Sequence, residues 1–259
     1  MKVPGTHAFD RKLEVARTKH ADVLYARADG RWQPAEGKLG IGPLIRRAFG
    51  RHERRISEMY RGVFVDLDAF VGSIRHNVGT PDSVLEIGCG DGMVTERLAR
   101  AFSDSTLTGI DICAQPGRLY RGDRSRVRFL RASPQELSAT EGTQYALVII
   151  SDVLHHVPHQ DWPHFLASAA RLLASGGALV LKDWVREPTP AYVLGYLSDR
   201  LVTADRIRYP RERELKSIVQ RSFGSGAIRS EFRVKPWHCN LALVISPQPI
   251  PEATAGGRR

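Results

Sequence analysis

Residues 84–100 read VLEIGCGDGMVTERLAR, and this stretch decides the fold. A short apolar run ends at Glu86, glycine then occupies positions 88, 90 and 92, and an amphipathic run follows. That is the pattern of a buried strand, a tight turn and a helix. Glycine-rich turns of this kind commonly cradle phosphate on the helix N-terminus. Here Glu86 and Asp91 stand where a phosphate would sit, so the loop fits a ligand of opposite charge.

Working outward, the chain after Pro81 alternates between strand and helix patterns. Strands are predicted at 83–88, 105–111, 126–132, 145–151 and 176–183, with helices at 93–102 and 162–174. This alternation implies parallel strands joined by right-handed crossovers. Residues 189–223 read as helices. Residues 227–235 and 238–246 read as two last strands, and the short Pro236-Trp237 link makes them an antiparallel pair. Before Pro81, residues 1–27 have helical spacing, 28–43 read as a Gly/Pro-rich loop, and 44–78 return to helical spacing. The organisation expected is an N-terminal helical lid or substrate region (1–80), an α/β core (81–246) with a helical insert (186–223), and a disordered tail (247–259).

The chain has 259 residues with ordinary apolar and charged content. No run is apolar and long enough to span a membrane, and the N-terminus lacks an apolar signal core. Three scattered cysteines, Cys89, Cys113 and Cys239, argue against a disulfide framework and for a reducing cytoplasm. The net charge of +10 is uneven: residues 1–80 carry +6 and residues 205–235 carry +5. That surplus suggests attraction of an acidic partner, although arginine-rich coding alone also produces it. The oligomeric state has no signature in the sequence.

The ligand class follows from the loop. The dinucleotide fingerprint is G-x-G-x-x-G, whereas Gly88, Gly90 and Gly92 are spaced one residue too short. A pyrophosphate beside Glu86 and Asp91 would meet like charge. S-adenosylmethionine has an ammonium, a sulfonium and a ribose, and no phosphate, and so fits. Asp111 ends the second strand, 19 positions after Gly92, where an acid can accept both ribose hydroxyls. NAD-binding folds share that last feature, so Asp111 by itself is ambiguous.

The motifs VLEIGCGDG, LTGID, ALVIISDVLHHVP and LLASGGALVLKD, taken in order, resemble class I S-adenosylmethionine-dependent methyltransferases. SDVLHHVP is most similar to the ubiquinone/menaquinone-biosynthesis-like branch, which acts on small molecules. The resemblance implies an α/β, Rossmann-like three-layer sandwich whose seven-stranded, mostly parallel sheet has the order 3-2-1-4-5-7-6. It implies that Glu86, Gly88 and Gly90, with Cys89 between them, hold the methionine end of the cofactor. Asp111 would take the ribose and Ile112 would flank the adenine. The family often has an acid after the third strand near the adenine amine; Ser133 stands there, and its hydroxyl is a weaker acceptor. Ala146 replaces another frequent acid, at a position that is usually structural.

The reacting end is the segment after the fourth strand, residues 151–164. Ser151 and Asp152 open it beside the expected cofactor methyl. His155 and His156 follow, one a candidate base and the other a structural support. His159, His164 and Asp161 with these residues invite a metal, but their spacing matches no helix-face ligand pair, and no metal is expected. Asp183 and Trp184 leave the fifth strand on the ligand side, Asp183 as a further candidate catalytic group. Trp184, Tyr192 and Tyr196, with Tyr60 and Arg61 from the N-terminal side, are candidates for a lid over the acceptor. The reading is a methyltransferase for a small-molecule hydroxyl. The alternatives are an RNA or protein methyltransferase using the basic flanks, and a catalytically silent cofactor-binding subunit. Nucleic acid is disfavoured because the place of an Asn/Asp-Pro-Pro-aromatic motif reads SDVL and no RNA-binding module accompanies it.

Overall fold

The computed structural model describes residues 24–28, 31–35, 50–140, 142–202 and 207–247. Most of the helical spacing read over 1–27, and the tail from 248 onward, lie outside these residues. Within them, Leu24–Ala28 (β1) and Arg31–Ala35 (β2) pair as an antiparallel hairpin. The helical spacing read through residue 27 and the loop read from residue 28 are therefore corrected at this point. Tyr25, Ala26 and Arg27 pair with Pro34, Gln33 and Trp32, and the sequence between the strands, Asp29-Gly30, is a dipeptide that favours hairpins.

Helices Glu53–Phe64 (α1) and Leu67–Val78 (α2) precede the sheet. Asp66 caps α2, its carboxylate accepting from Ala69 N at 2.9 Å, and Gly79 ends it at φ 73°. The alternating block then runs through strand Ser83–Ile87 (β3), helix Met93–Ala101 (α3) and strands Thr106–Asp111 (β4) and Val127–Arg131 (β5). Helix Pro134–Thr140 (α4), strand Tyr145–Ser151 (β6), helix Trp162–Arg171 (α5) and strand Leu173–Trp184 (β7) continue it. Helices Pro190–Val202 (α6) and Glu212–Phe223 (α7) lead to strands Ile228–Arg233 (β8) and Asn240–Ile245 (β9).

The seven core strands lie in the order β5-β4-β3-β6-β7-β9-β8, which is 3-2-1-4-5-7-6 in core numbering. β5 through β7 are parallel, and β9 is antiparallel to both β7 and β8. The period-2 pattern of the strands sends side chains to two cores. Leu85, Ile87, Val148, Ile150, Leu179 and Leu181 face one side and pack with Phe165, Leu166, Leu215 and Val219 of α5 and α7. Val84, Leu147, Ile149 and Val180 face the other side and pack with Phe70, Ile74 and Leu98 of α2 and α3. Sheet order reverses between β3 and β6, and the crevice at such a reversal, beyond the carboxyl ends of the strands, is where open α/β sheets take ligands. No helix among the described residues is long and apolar enough to cross a membrane.

Candidate active site

The turn after β3 carries the first half of the site. Gly88, Gly90 and Gly92 all have positive φ (79°, 51° and 87°), a region that side-chain-bearing residues seldom occupy. Gly88 also meets the segment after β6: a Cβ placed on it would lie 2.2 Å from Val153 Cγ2. The two ligand-side loops therefore touch backbone to side chain, with no room for a larger residue at 88.

Asp111 at the end of β4 fixes the turn from below. Its Oδ2 accepts from Gly90 N and its Oδ1 from Cys113 N, each at 2.8 Å. A carboxylate has about four acceptor sites, so even with the Cys113 thiol also bonded to Asp111 some capacity remains for a ligand. Glu86 is 3% exposed, and its Oε2 accepts from Thr95 Oγ1 at 2.5 Å. Burial pushes its carboxyl up to about 7, against the pull of Thr95 and the Arg61 charge, while Asp91 and Asp111 push it further up. Asp91 Oδ2 accepts from Arg61 Nη2 at 2.9 Å. Three acids thus converge on the glycine turn with one arginine among them. That acceptor set suits a ligand bearing an ammonium and a diol, and it repels a pyrophosphate.

The second half lies beyond β6 and β7. Asp152 sits in the left-handed region at φ 56°, and its backbone N–H donates to Lys182 O. Lys182, fully buried near the end of β7, holds both carboxylate oxygens of Asp152 with Nζ at 2.6 and 2.7 Å. Burial pushes the Asp152 carboxyl up, but Lys182 and the neighbouring His155 overcome it and leave the group below the usual carboxylate range.

Asp183, also fully buried, accepts from Trp184 N and from the His155 ring on Oδ1, and from His155 N on Oδ2. The His155 Nδ1 to Asp183 Oδ1 distance is 2.6 Å. A carboxylate that already takes two backbone N–H groups is an acceptor towards the ring. Nδ1 therefore carries the proton, and Nε2 is the ring's basic nitrogen. This is the arrangement in which an acid fixes the tautomer of a catalytic histidine. His156 packs on His155 with ring centroids 4.1 Å apart, and Tyr209 packs on it at 5.0 Å.

A cavity of about 570 Å³ joins the two halves. Of the residues singled out in the sequence, Glu86, Gly88, Cys89 and Gly90 line its floor. Ser151, Asp152, His155 and His156 line one side, and Tyr60, Arg61 and Trp184 the roof and wall. Asp111 and Asp183 do not line it but are bonded to Gly90, Cys113, His155 and Trp184, which do. Ile112, Tyr192 and Tyr196 do not line it. Tyr192 and Tyr196 instead pack on Tyr209, at 5.7 and 6.3 Å, behind the wall formed by Trp184 and Tyr209. Ser133 caps α4: its Oγ accepts from Glu136 N and donates to Glu136 Oε2, so its hydroxyl is engaged within the cap.

Other groups at the site were missed. Lys182 was legible as a charge in an otherwise apolar strand end, ALVLKD. Gln115 and Arg118 carry no sequence signal; the fold brings them to the cavity. Asp152, His155 and Asp183 offer ligand atoms within 4.8 Å of one another. A cation there would have to displace the Lys182 ammonium from Asp152 and the Nδ1 proton from the Asp183 contact, so the donor chemistry does not fit a metal.

A family model described as a methyltransferase domain matches residues 41–222. Over 116 residues the chain is 37% identical to 27-O-demethylrifamycin SV methyltransferase of Amycolatopsis mediterranei, covering 42% of this chain and 41% of that protein. Over 98 residues it is 34% identical to ubiquinone biosynthesis O-methyltransferase of Klebsiella pneumoniae, covering 36% of this chain and 39% of that one. The aligned part thus spans about two fifths of the length of these curated relatives. Among solved structures, 1,6-didemethyltoxoflavin-N1-methyltransferase of Burkholderia thailandensis superposes with a TM-score of 0.55 at 18% identity, over 86% of this chain and 97% of that chain. The S-adenosylmethionine-dependent methyltransferase SibL superposes with a TM-score of 0.60 at 16% identity, over 82% and 63%. At these identities the two structures establish the shared fold.

Proposed function

The chain belongs to the methyltransferase-domain family, and from that premise we propose that it transfers a methyl group from S-adenosylmethionine to a hydroxyl of a small-molecule acceptor. The observation that carries the choice of a hydroxyl is the His155–Asp183 pair at the cavity wall. An oxygen nucleophile must lose its proton, and an oriented imidazole supplies the base. The curated relatives named above are O-methyltransferases, which supports the same choice.

Glu86 and the turn at Gly88–Gly90 would hold the methionine end of the cofactor, and Asp111 would take the ribose with its remaining lone pairs. When bound, S-adenosylmethionine supplies the electrophilic methyl. The residues of the chain do the rest. His155 Nε2 accepts the hydroxyl proton while Nδ1 keeps its bond to Asp183, and the Asp183 carboxylate stabilises the imidazolium that results. Tyr60, Phe64, Trp184 and Tyr209 form a largely apolar, aromatic wall that excludes water and can stack on a planar acceptor. Asp152 is already paired with Lys182, so it adds little attraction for a charged group. The acceptor is accordingly read as neutral and aromatic or otherwise flat, not acidic. A reducing, cytoplasmic setting suits the three free thiols.

The test is a screen of phenols, hydroxylated polyketides and small hydroxy acids with methyl-labelled cofactor, run on the wild type and on His155→Ala. Transfer to a hydroxyl that falls 10²–10⁴-fold in His155→Ala, with cofactor affinity kept, supports the reading. Transfer that is indifferent to His155 at every pH refutes the role of the base.

A further inference from the structure

We infer that Lys182 is a positioning residue for the base: its buried ammonium cancels one of two carboxylates beside His155 and so keeps that ring neutral, open to a proton, in the resting protein. The inference rests on the reading of His155 given above. Lys182 is fully buried near the end of β7, next to Val180 and Leu181, which are fully buried as well. A lysine in such a place gives up its hydration, which packing alone does not repay. Its charge therefore calls for a partner and a use.

Adjacent residues of β7 hold the two ends of one short segment. Lys182 Nζ donates to both carboxylate oxygens of Asp152, and Lys182 O accepts from Asp152 N. Asp183 accepts from the ring and from the backbone N–H of His155. Ligand atoms of Asp152, His155 and Asp183 lie within 4.8 Å of one another, so the ring has two acids beside it. An acid at that range favours the protonated ring by about 1–3 pH units. A ring already protonated at rest cannot take the proton of an acceptor hydroxyl. Lys182 changes the balance. With it, Asp152, Lys182 and Asp183 together carry one net negative charge instead of two. That one charge, on Asp183, stabilises the imidazolium as it forms.

The other groups around the ring do not supply this charge. His156, on the same segment, packs on it at 4.1 Å, and Tyr209, from the stretch before α7, at 5.0 Å. Arg208 N donates to the His155 carbonyl, but the Arg208 guanidinium is bonded to Glu214. Cys239, which feels the Lys182 charge, is pushed up to about 11 by burial and stays a neutral thiol. Across the cavity Arg61 is paired with Asp91, and Arg118 with Glu53; Glu86, beside the glycine turn, is an acid. Among the described residues, the cation bonded to the Asp152 and Asp183 pair of acids is Lys182.

Three variants separate charge from packing: Lys182→Met, Asp152→Asn and the two together. Methionine approximates the length of lysine, and asparagine tolerates the left-handed backbone that residue 152 adopts at φ 56°. The readout is the titration of the His155 ring, followed by NMR on protein labelled at the histidine rings, with the His155 signal identified by its loss in His155→Gln. Lys182→Met is expected to raise the His155 midpoint by about one pH unit or more, and Asp152→Asn to lower it by about as much. The double variant should return it to within about half a pH unit of the wild type. The acid limb of kcat/KM, measured with a hydroxyl acceptor from the screen above, should move with the midpoint. Where Lys182→Met does not fold, Asp152→Asn and the double variant decide, since the second substitution must raise the midpoint that the first lowered. Midpoints that do not move in the single variants, or that move the same way in both, overturn the inference and leave the base reading to be judged by His155→Ala. Midpoints that move as expected while the acid limb stays in place overturn the base reading, and with it the role of Lys182.

Discussion

Replacing Glu86 by Gln should make the ligand-free protein more stable and the cofactor complex weaker. Glu86 lies near the end of β3 with 3% of its surface exposed and, among the described residues, Thr95 as its side-chain partner. Burial pushes its carboxyl up to about 7 from an ordinary 4.5. The folded chain therefore holds a proton that the unfolded chain releases, so stability falls as pH rises from the unfolded value through the folded one. The full loss, reached above pH 7, is about 3 kcal/mol. Gln stays neutral and its amide oxygen can still accept from Thr95. At pH 8 the variant should gain about 1–3 kcal/mol, or roughly 2–10 °C in Tm for a domain of this size. At pH 4, where the wild-type carboxyl is also neutral, the two should coincide. S-adenosylhomocysteine binding should move the other way. An ammonium beside Glu86 draws off its proton, so wild-type affinity rises with pH through 7. The variant should lose that rise and bind at least about tenfold more weakly at pH 8. Urea unfolding at pH 4, 6 and 8, with calorimetry at pH 6 and 8, measures both. A variant less stable than wild type at pH 8 would mean that Glu86 is ionised and compensated in the free protein, and the burial argument would be wrong.

Two further outcomes are expected. Asp183→Asn replaces an acceptor of three N–H groups by an amide that cannot accept them all; it should lower kcat by about 10²-fold or more through the wrong His155 tautomer, and flatten the pH profile near neutrality, with S-adenosylhomocysteine affinity unchanged. Unchanged kcat would separate His155 from the chemistry. Gly88→Ala places a Cβ 2.2 Å from Val153 Cγ2 at a φ of 79°; it should destabilise the fold by about 1–3 kcal/mol in denaturant unfolding, and Val153→Ala should recover only part of that, because the backbone strain remains.

The sheet was legible because its signal is local and repeated. Strands such as YALVIIS are apolar on both faces, and that pattern sets β6 between two helix layers before any contact is known. The glycine turn was legible for the same reason: positive φ at 88, 90 and 92 leaves only one residue type comfortable. The hairpin Leu24–Ala28 with Arg31–Ala35 was not, because its first strand continues the helical spacing of the residues before it and its second lies in a Gly/Pro-rich stretch that reads as loop. The His155–Asp183 pair was half legible. Both residues stood out, but 28 positions separate them, and only the parallel pairing of β6 with β7 brings their loops together. Tyr192 and Tyr196 illustrate the reverse case. Aromatic residues on a helix near a site invite a substrate role, yet here they back the wall that Tyr209 and Trp184 present.

The charge pattern is where sequence and structure differ most usefully. A surplus of +6 in residues 1–80 reads as attraction for an acidic partner. Two of those arginines pair with acids of the core. Arg54 forms a bidentate pair with Glu96 and holds that carboxyl down to about 2, and Arg61 pairs with Asp91. Asp91, one of the acids that make the glycine turn hostile to phosphate, is also a group that α1 grips. If Asp91 were absent, the turn would lose one repulsive charge and α1 one anchor. A loop selective for a cationic cofactor and a basic helix above it are therefore one electrostatic arrangement, and only part of the chain's positive surplus remains outside it to meet a partner.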